Sequence, residues 1–212
     1  IKNAYFDCDT AADKFESAMA KVGTIADTQA VSLASIQSEI QALSMETGVS
    51  VSDLAESTYS AISASVNTAD AVAFVAQANS LAVGGFTQTS TAVDILTTAL
   101  NAYGLEASQT SNIADMMIQT QNLGKTSVDE LASSMGKIIP TANSLNVQLD
   151  VLCGSYAVMT ANGIATAETT TYMNSMLNEL GKNGTSAANA LKQGTEYIKV
   201  PYTTRIWMAQ VK

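Results

Sequence analysis

Leu43-Ser44-Met45-Glu46-Thr47-Gly48-Val49-Ser50-Val51-Ser52-Asp53-Leu54 decides the fold. The apolar residues Leu33, Ile36, Ile40 and Leu43 run into it at 3–4–3 spacing, a seam on one side of a helix. Gly48 then stops that helix, because glycine tolerates the left-handed backbone that closes a last turn. Two residues later Ser50 offers a hydroxyl to a free backbone N–H of the next helix. Asp53 lies where the helix dipole favours negative charge. The same stop-and-start recurs along the chain. Gly48, Gly85, Gly124 and Gly163 are nearly evenly spaced, each between two amphipathic stretches. A period near 40 with two helices per unit predicts an all-α array or bundle of antiparallel helical hairpins with Gly-terminated helices.

Composition agrees. Of 212 residues 47% are hydrophobic but only 6% aromatic, so alanine supplies much of the apolar surface. Two prolines leave long stretches free to be helical. Ten Lys and Arg against 19 Asp and Glu give a net charge of −9, which argues against a phosphate-backbone binder and leaves no nucleic-acid site evident. The one place where positive charge gathers is Lys199, Arg205 and Lys212. Cys8 and Cys153 lie far apart and read as reduced thiols in a reducing compartment. The chain opens at Ile1 without a signal peptide and reads as a fragment of a longer protein. Between Glu56 and Asp94 the only charge is Asp70, but Gln77, Asn79, Ser80 and Gln88 make a membrane span too polar. A helix pair deep in a bundle is the expected alternative.

The spacing predicts a first helix over about 11–26 on Phe15, Met19, Val22 and Ile25, and a second reaching Thr47. After Gly48 follow stripes of Leu54, Ala61 and Ile62, then of Val72, Val75, Ala76 and Val83, with a break at Asn67-Thr68 and a stop at Gly84-Gly85. Val93, Leu96, Leu100 and Tyr103 end at Gly104; Ile113, Met116, Met117 and Leu123 end at Gly124. Ser127-Val128-Asp129-Glu130 fits a capping box ahead of Leu131, Met135 and Ile138, and Pro140 should kink or end that helix. Leu149, Leu152, Tyr156 and Met159 form another stripe, stopped at Asn162-Gly163. Met173, Met176, Leu177 and Leu180 form the last, stopped at Gly181 or Gly184. Residues 1–194 therefore read as one helical region. Residues 195–212, with Tyr197-Ile198-Lys199-Val200, Pro201 and Trp207, read as an atypical tail.

Catalytic chemistry finds no foothold. Histidine is absent, so neither cysteine has its usual activating base and the commonest zinc ligand is missing. No phosphate loop, dinucleotide fingerprint or nucleophile elbow occurs. Asp129-Glu130 could serve acid–base work, but a helix start already accounts for them. Asp70, Asp94 and Asp115 read as exposed or cap-related, and the nine methionines as core filler. No residue is assigned to catalysis, to a cofactor or to a metal.

The ordered series of caps and turns resembles the core region of tail tape measure proteins of long-tailed bacteriophages and prophages, of the lactococcal-phage type. Phe15-Glu16 with Ala18-Met19 through Val22 is similar to that family's opening helix. Leu43 to Gly48-Val49-Ser50 with Asp53-Leu54-Ala55 resembles its first junction, and Ala99 through Leu105 with Ala114-Asp115 its central turn. Ser127 through Ala132, Asn162-Gly163-Ile164 and Met176-Leu177 to Leu180 complete a resemblance over about residues 10–192. Residues after Thr195 depart from it. The resemblance implies a structural ruler in the tail lumen, made in the host cytoplasm and expelled ahead of the DNA. Its implied partners are the tail tube protein, tail assembly chaperones, tail tip proteins and further copies of itself, and any membrane contact would come through parts absent here. Two other classes compete. A generic coiled-coil interaction or adhesion module would show long unbroken heptads, and a segment tied to a cell-wall hydrolase would show more aromatic residues.

Overall fold

The computed structural model describes the backbone of residues 2–182 and the side chains of residues 10–182. Ten helices follow one another: α1 (Lys2–Ile25), α2 (Leu33–Thr47), α3 (Val51–Ser63), α4 (Ala71–Gly85), α5 (Thr89–Tyr103), α6 (Thr110–Leu123), α7 (Val128–Met135), α8 (Ile139–Ser144), α9 (Leu149–Ala161) and α10 (Thr166–Gly181). A short 3-10 turn, Ala107–Gln109, leads into α6, and no strand occurs among the described residues. The fold is an all-α array. The atypical tail from 195 onward, with Tyr197-Ile198-Lys199-Val200, lies outside the described residues.

The array has a stricter period than the glycines suggested. One series of helices begins at Leu33, Ala71, Thr110 and Leu149, and the second at Val51, Thr89, Val128 and Thr166. Within each series the interval from one start to the next is constant to within a single position. Packing follows the period. In the first series α2 touches α4, α4 touches α6 and α6 touches α9. In the second, α3 touches α5, α5 touches α7 and α8, and both of these touch α10. The two series form two layers with one hydrophobic core between them. Ile36, Phe74, Ile113 and Leu152 are the fourth residues of the first-series helices, and all are buried. Leu54, Ala92 and Leu131 hold the matching place in the second series and are also buried. Helix α1 packs chiefly on α3, as α3 packs on α5. Its buried Phe15, Met19 and Val22 lie one full period before Leu54, Thr58 and Ala61, so α1 stands where the second helix of a preceding unit would be.

Hydrogen bonds tie each unit to the next. Asn101 donates through its amide to the Ala64 carbonyl at 2.8 Å, and Asn143 donates to the Ala102 carbonyl at 2.7 Å. Each holds the end of a second-layer helix against the end of the one before it. The Lys125 N–H donates to the Thr160 hydroxyl at 3.1 Å, and the Asp27 N–H to the Thr68 hydroxyl at 2.9 Å. These side chains satisfy backbone groups that helix ends leave without partners.

Several expectations need correcting. Helix α1 starts at Lys2, well before the predicted boundary, and Tyr5, Cys8 and Ala12 carry the 3–4 spacing of Phe15, Met19 and Val22 back into that first part. Glycine stops helices by two different means. Gly48 and Gly163 take the left-handed backbone, at φ +74° and +93°. Gly85 instead lies inside α4, and a Cβ there would stand 2.5 Å from Val128 Cγ2. Gly124, at φ −99°, likewise leaves room for Thr160 and for the Ala157 backbone. In both, the missing side chain permits close approach between units. The left-handed residue that ends α4 is Phe86, at φ +54°. Pro140 sits in the first turn of α8, where its missing N–H costs nothing, and α7 has already ended at Met135. Val83, Leu123 and Met176 are exposed rather than part of their stripes. Val83 and Leu123 are displaced around their helices from the residues at the fourth and eighth positions, which fill the core, whereas Met176 lies on the last described helix at a place that a following unit covers elsewhere.

Candidate functional site

The residues singled out from sequence do not converge on one another. Ser127 caps α7 as expected, its hydroxyl accepting from the Glu130 N–H at 3.2 Å. The return half of the capping box is absent. The Glu130 carboxylate accepts instead from the hydroxyls of Thr166, at 2.9 Å, and Thr126, at 3.2 Å, tying the start of α7 to the start of α10. Thr166 stands one repeat further on and offers a donor, whereas the capping box would have drawn Glu130 back to its own helix end. Asp129 accepts from the Thr87 hydroxyl of the preceding unit. Both acids thus bridge units as well as complementing the helix dipole. Asp70, Asp94 and Asp115 are exposed, Asp70 immediately ahead of α4.

Cys153 is buried on α9, and burial pushes its thiol up to about 11, against a hydrogen bond from Thr120 that lowers it. At neutral pH it is a protonated, apolar group, the opposite of an activated nucleophile. Burial likewise raises Tyr156 to about 12, partly offset by its hydrogen bond with Thr170. The side chain of Cys8 lies outside the described residues, as do Lys199, Arg205 and Lys212. Among the described residues no group of three acids or cysteines is placed to hold a metal ion. No described helix is long and apolar enough to cross a membrane, and the uncharged α4 packs against α3, α5 and α6.

What the structure gathers is a surface. The turns that join the two helices of each unit all lie along one edge of the array, and the most exposed large apolar side chains collect there. Phe86 is 89% exposed, Met45 83%, Val83 69% and Leu123 67%. Met45 and Val83 occupy the same place in successive units, the thirteenth residue of α2 and of α4. The methionines divide accordingly: Met19, Met117, Met135 and Met173 fill the core, whereas Met45 and Met176 face solvent. Sequence reasoning treated Val83 and Leu123 as core. Only the unit register, laid over the helix starts, separates them from it. Along the opposite edge a groove of about 730 Å³ runs between the α3–α4 turn and the end of α5, with Asn67, Asp70, Gln77, Asn101 and Glu106 along it.

A repeated, two-layered helical array in which each unit packs on its neighbours is the architecture of a helical repeat protein. The family model for phage-related minor tail proteins matches residues 37–200, from α2 to beyond the end of α10. The chain belongs to that family and is a structural protein of the phage tail. Neither a curated protein nor a solved structure gives a significant match.

Proposed function

We propose that this chain is part of a tape measure protein, one that spaces the phage tail and sets its length. The observation that carries the reading is the near-constant interval between helix starts in a member of a tail family. A ruler made of equal units changes length by whole increments when units are gained or lost, and neighbouring units here pack through corresponding helices. In this reading the chain works through protein contacts. It carries no catalytic residue, cofactor or metal, and it occupies the tail lumen until it leaves ahead of the DNA. The tail tube protein, the assembly chaperones, the tail tip proteins and further copies of the chain are its proposed partners. The acidic balance of the chain, at net −9, would weaken any hold on the DNA that follows.

The test is deletion of one unit in register, residues 110–148, joining Gln109 to Leu149 in the full-length gene. If this segment stands as extended helix inside the tail, its loss at a rise of about 1.5 Å per residue shortens the tail by about 58 Å. If it keeps the folded array, the loss is one helix-to-helix spacing, roughly 10 Å. Electron microscopy of tails separates the two. Tails of unchanged length, or no tails at all, would refute the ruler.

A further inference from the structure

The edge that carries Met45, Val83, Phe86 and Leu123 has features that packing within the array does not explain. Phe86 takes a left-handed backbone where Gly48 and Gly163, along the same edge, close α2 and α9. That backbone is costly for a residue with a side chain. The ring contributes nothing to the core, being the most exposed large apolar side chain among the described residues. A strained, exposed aromatic residue within a row of exposed apolar ones points to a contact outside the fold.

The row has a regular step. Met45 and Val83 are the thirteenth residues of α2 and α4, and Leu123 is the fourteenth of α6. Helix α2 packs on α4, and α4 on α6. Packed helices stand about 8–10 Å apart, so an apolar contact recurs at about that interval. Seven residues of α-helix rise about 10.5 Å and return to nearly the same face. An extended strand returns to one face at about 6.6 Å and again at about 13 Å, and misses the step.

Charge narrows the choice further. Glu46 is exposed next to Met45, and Asp53, Asp129 and Glu130 are exposed in the first turns of α3 and α7, which start from this edge. Asp129 accepts from Thr87, the neighbour of Phe86, which holds its carboxylate against the row. The ion pairs among the described residues are Lys21–Glu56 and Lys182–Glu179, so none of these four acids is paired with a cation. The surroundings of the row are negative even with Lys125 in the α6–α7 turn.

We propose that this edge docks an amphipathic helix of a partner protein, with apolar side chains seven residues apart and lysine or arginine on both sides of that stripe. The acids disfavour the other occupants. A second copy brings a net charge of −9. Its α9 has exposed Val151 and Val158 at the right spacing, but carries Asp150 and no cation. An anionic lipid surface would be repelled for the same reason. The inference rests on the described array and does not depend on the ruler reading.

The test uses the whole 212-residue chain. The probe is a dye-labelled, alanine-based helical peptide with leucine at every seventh residue and lysines flanking that stripe, titrated by fluorescence anisotropy. It should bind at least about tenfold more tightly than a peptide with the same number of leucines at eleven-residue intervals, which keeps one face but steps about 16.5 Å. The same margin is expected over a peptide with glutamate in place of lysine. Phe86→Ser combined with Leu123→Ser, at exposed positions that leave the core alone, should weaken binding at least about tenfold with helical circular dichroism unchanged. Equal binding of either control peptide, binding that survives the double substitution, or no binding would overturn the proposal. So would tighter binding of a proline-rich peptide with leucine at every third residue, which steps about 9.3 Å. Self-association of the chain, or retention on phosphatidylglycerol vesicles, that the double substitution abolishes would overturn it in favour of a second copy or a membrane.

Discussion

Phe86→Gly should stabilise this protein, which is unusual for removing a phenylalanine. Phe86 closes α4 at φ +54°, in the left-handed region where Gly48 and Gly163 close α2 and α9. For a residue with a side chain that conformation costs about 1–2 kcal/mol, because Cβ crowds the following carbonyl oxygen. Burial returns almost nothing, since the side chain is 89% exposed. Glycine removes the crowding but gives the unfolded chain more freedom, a loss of roughly 0.5–1 kcal/mol. The closing bonds, from the Thr87 N–H to the Ala82 carbonyl at 2.9 Å and from the Phe86 N–H to the Val83 carbonyl at 3.4 Å, are backbone bonds and survive. The net gain is about 0.5–1 kcal/mol, or a rise in Tm of roughly 1–4 °C for a chain of this size. Urea unfolding at 25 °C, followed by circular dichroism, should show a higher midpoint with an unchanged slope. A lower midpoint would refute the reasoning, because it would mean that Phe86 is held by contacts beyond those of the described fold.

Leu100→Ala and Leu152→Ala, at positions 4% and 0% exposed, should each cost about 2–5 kcal/mol in the same assay. If neither moves the midpoint, the assignment of their faces to the core is wrong. Stability should also fall on the alkaline side. The folded chain holds the protons of Cys153 and Tyr156 more tightly than the unfolded chain, raising these groups from 9.0 to about 11 and from 10.0 to about 12. Their contribution is therefore complete below about pH 9 and is lost as pH climbs through 11 and 12. Urea midpoints at pH 8, 9.5 and 11 would check this, and a flat profile would show that these groups are as solvated in the fold as in the unfolded chain.

The sequence alone determined the helical class, the helix breaks near Gly48, Gly85, Gly104, Gly124 and Gly163, and the core places of Leu100, Met135, Leu152, Tyr156 and Leu177. These are local matters. A helix end is written in the backbone freedom of one glycine and the hydroxyl of one serine, and an apolar face in the spacing of residues three and four apart. The tertiary structure decided what depends on neighbours a full repeat away along the chain. Gly85 and Gly124 look like Gly48 in sequence, yet they serve close approach to Val128, Thr160 and Ala157, which only packing brings near. Glu130 has the spacing of a capping box, but Thr166 from the next unit takes its carboxylate. Met176 sits among Met173, Leu177 and Leu180, and nothing local distinguishes it from them. Its exposure follows from its place on the last described helix, on the side where every earlier unit has a successor.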